Sequence, residues 1–281
     1  MPELPEVEIV RRGLEPALKD KSIDSITLNR MDLRVPIPSN FKECVEGSVA
    51  QSIMRRGKYI LVFFDNQHGF VLHLGMSGRV NIYGPRDEYT PAKHDHVVFH
   101  MADKTRIVFN DPRRFGMLYL TSEAKWQEEK PFSEMGPEPL GNNFSGEALY
   151  ERLNKRRTSI KSALLNQHIV SGVGNIYACE ALFEANIDPH RLACDVPRAE
   201  CDLLAQAIRG VLERAIAAGG SSLKDYAHTD GSLGYFQHGF KVYDREGTPC
   251  PECDCDIIKT SGIKRVVQSG RSTFFCSQKQ I

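Results

Sequence analysis

The chain opens Met1-Pro2-Glu3-Leu4-Pro5-Glu6, and its second residue is the first that can do chemistry. Cytoplasmic processing removes a leading methionine before a small residue, which leaves Pro2 with a free secondary amine. An α-amino group with a pKa of about 7.8 is roughly 10–20% neutral at pH 7, whereas a lysine ammonium is far below about 1%. Such an amine attacking a sugar aldehyde gives an iminium with no N–H proton to lose, so it stays cationic and draws electrons for elimination. Glu3 places a carboxyl group where it can move protons at the same carbon. The plainer reading of these residues is a helix start, with Pro where a helix tolerates it and an acidic first turn.

Other segments carry further candidates. Arg55-Arg56-Gly57-Lys58 leads into an apolar run from Tyr59 to Phe64; Lys58 is either a solvated edge charge or an ammonium that donates a proton or clamps a phosphate. The loop Asp111-Pro112-Arg113-Arg114-Phe115-Gly116 sets guanidiniums beside an aromatic ring, and Leu74-Gly75-Met76-Ser77-Gly78 presents a flexible apolar side chain. An enzyme that extracts a base from a duplex needs wedges for the vacated stack and cations for the phosphates, although hairpin tips explain each loop singly. Gly172-Val173-Gly174-Asn175 reads as a phosphate nest or a close helix-to-helix turn. Lys155-Arg156-Arg157 with Lys161 adds charge of the kind common on helix faces.

Cys250-Pro251-Glu252-Cys253 has zinc-ligand spacing, and Cys276 offers a third thiolate. The fourth ligand is open. A standard second pair would end at position 279, which is Lys279, and Cys255 is the remaining nearby sulfur. From Ile257 onward the chain carries Lys259, Lys264, Arg265, Arg271 and Lys279 with no acidic residue, a local basic patch.

These groups need elements to hold them. Val7, Val10, Leu14 and Leu18 recur at helical spacing, so a first helix starts near Pro5. Short β-rich runs follow between residues 23 and 121, notably 59–64, 70–74, 97–101 and 106–109, separated by turn clusters; they predict an antiparallel sandwich or barrel. A Pro/Gly-rich stretch from Lys130 to Gly141 reads as a linker. Beyond it Leu203, Leu204, Ala207, Ile208, Val211, Leu212, Ala215 and Ile216 mark an amphipathic helix stopped by Gly219-Gly220, and short strands return after residue 240. The domains expected are residues 1–130, a linker at 131–145, a helical domain at 146–240 and a hairpin at 241–281.

The chain has 281 residues, 41% hydrophobic and 26% charged, which excludes collagen-like, low-complexity and wholly disordered chains and suggests about two domains. Thirty-six basic residues balance 36 acidic ones, so a nucleic-acid partner must be argued from local placement. Eight cysteines, four of them crowded at the C-terminus, favour a metal over a disulfide framework. The opening residues lack a secretory signal and no run approaches a membrane span, so the expectation is a cytoplasmic protein with reduced thiols and no membrane partner.

In order along the chain, Pro2-Glu3-Leu4-Pro5-Glu6-Val7-Glu8, His73-Leu74-Gly75-Met76-Ser77-Gly78-Arg79, Lys93-His94-Asp95-His96, Asn110-Asp111-Pro112-Arg113-Arg114-Phe115-Gly116, Gly172-Val173-Gly174-Asn175-Ile176-Tyr177, Gly234-Tyr235-Phe236-Gln237-His238 and Gly270-Arg271-Ser272-Thr273-Phe274-Phe275-Cys276 together resemble the formamidopyrimidine-DNA glycosylase family. The resemblance implies an α+β multidomain fold: an N-terminal β-sandwich with a terminal helix, a helix-two-turns-helix domain and a C-terminal zinc-finger-like β-hairpin. It implies excision of oxidised purines from double-stranded DNA by a monomer. Pro2 matches the Schiff-base nucleophile, Glu3 the acid that helps open the deoxyribose ring, Lys58 the proton donor of β-elimination and Arg271 that of δ-elimination. His94, Arg113 and Arg157 match DNA contacts, Lys161 and Asn175 phosphate ligands, and Met76, Arg113 and Phe115 the side chains inserted into the duplex.

One structural zinc ion and no organic cofactor follow from the same resemblance. The family's second cysteine pair is complete, whereas this chain has Lys279 at its last position and extra residues in the hairpin. Two other readings compete with oxidised-purine excision: an endonuclease VIII-like enzyme for oxidised pyrimidines, and a damaged-DNA-binding scaffold with weakened catalysis.

Overall fold

A computed structural model describes residues 2–221, 229 and 234–281. The chain forms two compact units, residues 1–133 with 218–235, and residues 134–217 with 236–281.

In the first unit, helix α1 (Leu4–Leu18) starts after Glu3, which is extended, and Pro5 sits in the first turn where its missing N–H costs no hydrogen bond. Val7, Val10, Leu14 and Leu18 are buried, as their spacing predicts. There follow β1 (Ile23–Leu28), a short helix α2 (Phe41–Val45), β2 (Ala50–Arg56), β3 (Tyr59–Phe64), β4 (His68–His73), β5 (Arg79–Tyr83), β6 (Asp95–Met101), β7 (Arg106–Asn110) and β8 (Met117–Ser122). They make two four-stranded antiparallel sheets, ordered β1-β6-β7-β5 and β2-β3-β4-β8. The core between them takes Ile60, Val62, Phe64, Phe70 and Leu72 from one sheet and Val80, Val97, Phe99, Ile107 and Phe109 from the other, with the apolar stripe of α1 packed into it.

Strand β3 is apolar at successive positions because both of its faces are covered. Phe63, on the face away from that core, packs on Trp126, and Trp126 packs edge-on against Phe132, so the segment after β8 shields the outer side of the sheet. Helix α2 has no counterpart in the sequence reading. Its five residues bury only Phe41 and Val45, too few to show a period.

The second unit contains α3 (Gly146–Leu153), α4 (Ile160–Leu164), α5 (Asn175–Glu184), α6 (Arg198–Ala217), a short α7 (Ile257–Thr260) and the hairpin of β9 (Lys264–Gln268) and β10 (Arg271–Phe275). Gly146 opens α3 against α6 so closely that a Cβ would lie 2.0 Å from Asp202 Oδ1. The buried face of α6 is Cys201, Leu204, Ala205, Ile208, Val211, Leu212, Ala215 and Ile216. Leu203, expected on that face, is 55% exposed, because one residue along a helix turns the side chain through about 100°. Helix α6 stops before Gly219 and Gly220, both at positive φ. Residues 155–157, read as part of a helix face, lie instead in the turn between α3 and α4. A second apolar cluster joins Cys179 and Phe183 of α5 to Val242, Cys250, Ile263, Phe274 and Cys276.

Candidate active site and metal centre

Pro2 and Glu3 are both buried at the entrance to α1. The main chain there is fixed by Glu6, whose carboxylate is 2% exposed. It accepts the Glu3 N–H at 2.8 Å and, at 2.9 Å each, the Ser221 N–H and hydroxyl. Donors from the helix entrance and from Ser221 thus converge on one buried carboxyl group and clamp the start of α1. The sequence places Glu6 in an acidic first turn and Ser221 in a loop near Gly219 to Thr229 that could close over a base, of which Ser222 and Tyr226 lie outside the described residues. The pairing of Glu6 with Ser221 has no local signal, because 215 residues separate them.

Lys58 follows Gly57, whose φ of +57° lets β2 turn directly into β3. With 7% exposure it is not the solvated edge charge of the plainer sequence reading. The end of β4 brings His73 into its electrostatic reach. Burial, followed by the charges of Lys58 and Arg34, lowers the His73 pKa to about 4. The imidazole is therefore neutral at pH 7, and its Nδ1 accepts the Gly75 N–H at 3.1 Å while the ring packs on Tyr59.

A histidine whose folded pKa lies below its unfolded value stabilises the fold fully above about pH 6.5. That contribution is lost as pH falls toward 4, and amounts to about 3 kcal/mol. His73→Asn, which offers Oδ1 to Gly75, should flatten this part of the stability profile. Urea midpoints between pH 7.5 and 4.5 test it; an equally steep acid loss in the variant would assign the effect to other groups.

Met76 is half-buried, whereas Arg113 and Phe115 are exposed, with the guanidinium 5.1 Å above the Phe115 ring. His94 is half-buried, and its carbonyl accepts the Asp111 N–H. Pro2, Glu3, Lys58, Met76, His94, Arg113 and Phe115 thus all belong to the first unit.

Arg157, Lys161, Asn175 and Arg271 belong to the second. Gly174 caps α5, and the Asn175 side-chain amide donates to the Ser272 carbonyl at 2.8 Å, tying the helix start to the strand that begins with Arg271. The Ser162 and Ser269 hydroxyls, 2.9 Å apart, tie α4 to the tip of the β9–β10 hairpin. That tip is Ser269 and Gly270, both at positive φ, the pattern a two-residue hairpin requires. Arg271 is exposed, Arg157 is exposed, and Lys161 is fully buried. In the loop read as a phosphate nest, the Gly172 N–H already donates to Gln167 Oε1, and Gln167 Nε2 donates to the Val173 carbonyl. The close helix-to-helix turn is therefore the better description of its glycines.

The sulfurs of Cys250, Cys253, Cys255 and Cys276 lie within 4.8 Å of one another, with Cys253 and Cys276 at 3.6 Å. Four thiolates at about 2.3 Å from a tetrahedral zinc stand about 3.8 Å apart, so the group fits a metal ion. Cys255 reaches the cluster despite the short Cys253-Asp254-Cys255 spacing. Lys279 stands outside the thiol group: it pairs with Glu252, and its ammonium lies 4.2 Å from the Phe183 ring centroid. Glu252 also pairs with Lys241, which pairs with Glu184. Buried Glu180, its pKa raised by burial, accepts the N–H groups of Lys241, Val242 and Tyr243 and fixes the chain entering the cysteine segment. An acidic residue in the middle of the otherwise apolar run 176–183 was its only sequence signal.

Residues 1–118 match the family model of the formamidopyrimidine-DNA glycosylase N-terminal domain, and residues 135–227 that of the formamidopyrimidine-DNA glycosylase H2TH domain. The chain belongs to the formamidopyrimidine-DNA glycosylase family. A formamidopyrimidine-DNA glycosylase of Rhodospirillum rubrum is 49% identical over 280 residues, and one of Roseobacter denitrificans 51% over 286, each alignment covering 100% of both chains. Among solved structures, the MutM (Fpg) protein of Thermus thermophilus matches with a TM-score of 0.86 at 34% identity, covering 99% of this chain and 98% of its own. The Lactococcus lactis Fpg in complex with abasic-site DNA matches with a TM-score of 0.88 at 32% identity over 99% of each chain. In this glycosylase-family chain, no helix among the described residues is long and apolar enough to cross a membrane.

Proposed function

We infer that this protein is a base excision repair glycosylase that removes oxidised purines, 8-oxoguanine and formamidopyrimidines, from double-stranded DNA and cleaves the resulting abasic site. The observation that carries the reading is the full-length match to formamidopyrimidine-DNA glycosylases in a chain that keeps Pro2, Glu3 and Lys58 in one unit. With Met1 removed, the Pro2 nitrogen attacks the sugar C1′. The C1′–N bond breaks, the base leaves with the bonding pair and takes up a proton, and Glu3 protonates the ring oxygen as the deoxyribose opens. The C1′ iminium then acidifies C2′, so loss of a C2′ proton expels the 3′ phosphate, with Lys58 as the proton donor of this β-elimination. A second elimination, with Arg271 as donor, expels the 5′ phosphate and leaves a one-nucleotide gap.

His94, Arg113, Arg157 and Asn175 are assigned to the DNA strands and Met76, Arg113 and Phe115 to the space vacated by the lesion, a division between phosphate register and base extrusion that such chemistry needs. Lys161, expected from the sequence as a phosphate ligand, is fully buried and is not presented to a strand in this structure. Zinc held by Cys250, Cys253, Cys255 and Cys276 is structural and enters no step; it supplies folding energy to the segment that carries Arg271. The enzyme acts as a cytoplasmic monomer, where reduced thiols can hold the metal, and the scheme needs no organic cofactor.

Borohydride reduces an iminium to a stable amine, so trapping on a duplex with 8-oxoguanine opposite cytosine is the test. The expected result is a covalent adduct on the N-terminal peptide and cleaved ends of both eliminations. Faster trapping on an oxidised pyrimidine would replace the purine reading. No adduct on either lesion or on an abasic site would leave a DNA-binding scaffold.

A further inference from the structure

The loops carrying Met76 and Phe115 are fastened to each other through one buried side chain. Asp111 is 0% exposed. Its Oδ1 accepts the Ser77 hydroxyl at 2.6 Å, and its Oδ2 accepts the Gly116 N–H at 2.8 Å. The Ser77 oxygen in turn accepts the Arg113 N–H at 3.1 Å. The Asp111 carbonyl takes the Arg114 N–H and, at 2.7 Å, His96 Nε2, which must carry the proton because its partner is a carbonyl. The two main chains also meet directly: at Gly75, φ +64°, an added Cβ would lie 2.4 Å from the Phe115 carbonyl carbon and 2.5 Å from the Gly116 nitrogen. His73 holds the Gly75 N–H from the other side.

We propose that Asp111 and Ser77 are positioning residues that lock Met76, Arg113 and Phe115 into one preformed wedge. This rests on the assignment of those three side chains to the vacated stack. Each of the three follows or precedes a residue of the lock by at most four positions, yet none of the lock's bonded atoms belongs to an exposed side chain, so the lock shapes the wedge without reaching the DNA. Insertion of a preformed wedge forfeits little ordering entropy when the lesion leaves the stack, whereas loose loops must be ordered at that moment. The lock therefore acts on extrusion and on the reading of the opposite base by Arg113, and leaves the sugar chemistry alone.

The test compares Asp111→Asn, Asp111→Ala and Ser77→Ala with Met76→Ala and Phe115→Ala. Substrates are an 8-oxoguanine duplex, opposite cytosine or adenine, and a single-stranded abasic oligonucleotide that needs no extrusion. In the asparagine variant the amide can serve Ser77 or Gly116 as an acceptor but not both, so an intermediate effect is expected. The alanine variants should lower single-turnover excision by about 10-fold to 100-fold, as loss of one or two buried hydrogen bonds predicts. They should narrow the cytosine-over-adenine preference and leave trapping on the single strand within about 2-fold of the parent. Combining Asp111→Ala with Phe115→Ala should give less than the product of the two effects, since both disable one wedge. Equal losses on both substrates would show general unfolding and overturn the proposal. Normal excision in Asp111→Ala and Ser77→Ala, with Met76→Ala and Phe115→Ala impaired, would overturn the lock and keep the wedge. If Met76→Ala and Phe115→Ala also excised normally, the wedge assignment itself would fall.

Discussion

A chain that retains Met1, or carries any added residue ahead of Pro2, is expected to lose covalent capture of the lesion sugar by at least about a thousand-fold. An amide nitrogen has no basic lone pair, and a positioned intramolecular nucleophile is worth an effective concentration of about 10⁵ M or more, which no solution amine replaces. Pro2→Gly separates two contributions. It restores an amine at the same place, but a primary one whose imine can lose its N–H proton and cease to be an electron sink. Trapping should persist at reduced yield while strand cleavage falls further than base release. The loss should be catalytic rather than structural, because α1 begins at Leu4 and its clamp uses the Glu3 N–H, the Glu6 carboxylate and Ser221. Thermal unfolding within about 1 kcal/mol of the parent, together with intact binding to a reduced abasic duplex, would confirm this; undiminished capture by a blocked terminus would remove Pro2 from the mechanism.

Zinc removal should have the other large effect. Structural zinc contributes about 10–16 kcal/mol of binding free energy in small zinc domains near neutral pH, far more than the hairpin of β9 and β10 can supply from its own packing. Cys255→Ser should weaken zinc retention by more than the roughly 10–100-fold that loss of an outer-sphere partner costs. With the metal gone, DNA affinity and the second elimination should fall before base release and imine formation, because Arg271 begins β10 while Pro2 and Lys58 belong to the other unit. Metal content by mass spectrometry and the ratio of the two cleavage products after chelation read both quantities. A fully loaded Cys255→Ser protein would show that three thiolates and another donor suffice, and Cys255→Ser combined with Lys279→Cys tests whether the family's usual ligand position can take over.

The sequence showed most clearly what rests on short-range pattern. Helix α1 was readable from Val7, Val10, Leu14 and Leu18, and the sandwich from runs bounded by turn clusters. Cysteine spacing exposed Cys250 and Cys253 as a pair and left the fourth ligand undecided. What stayed hidden depends on partners distant in the chain. Local pattern left Lys58 open between an edge charge and a proton donor or phosphate clamp, because nothing local reveals that the turn holding it is buried. Leu203 looked like core because a neighbouring apolar residue cannot show which side of a helix faces inward. Asp111 passed for a turn residue; its reach to Ser77, 34 positions earlier, exists only once β5 and β7 have paired.

The clamp between Glu6 and Ser221 also sets an order in time. A ribosome releases the chain from its N-terminus, so α1 and both sheets of the first unit emerge long before residue 221 exists. Until then the Glu6 carboxyl group lacks the Ser221 N–H and hydroxyl, and a polar group short of hydrogen bonds is unfavourable to bury. The start of α1 is thus among the first segments synthesised, and its clamp is completed only after residue 221 has emerged. A prematurely terminated chain that lacks residue 221 therefore carries the start of α1 without two of the hydrogen bonds that fix it.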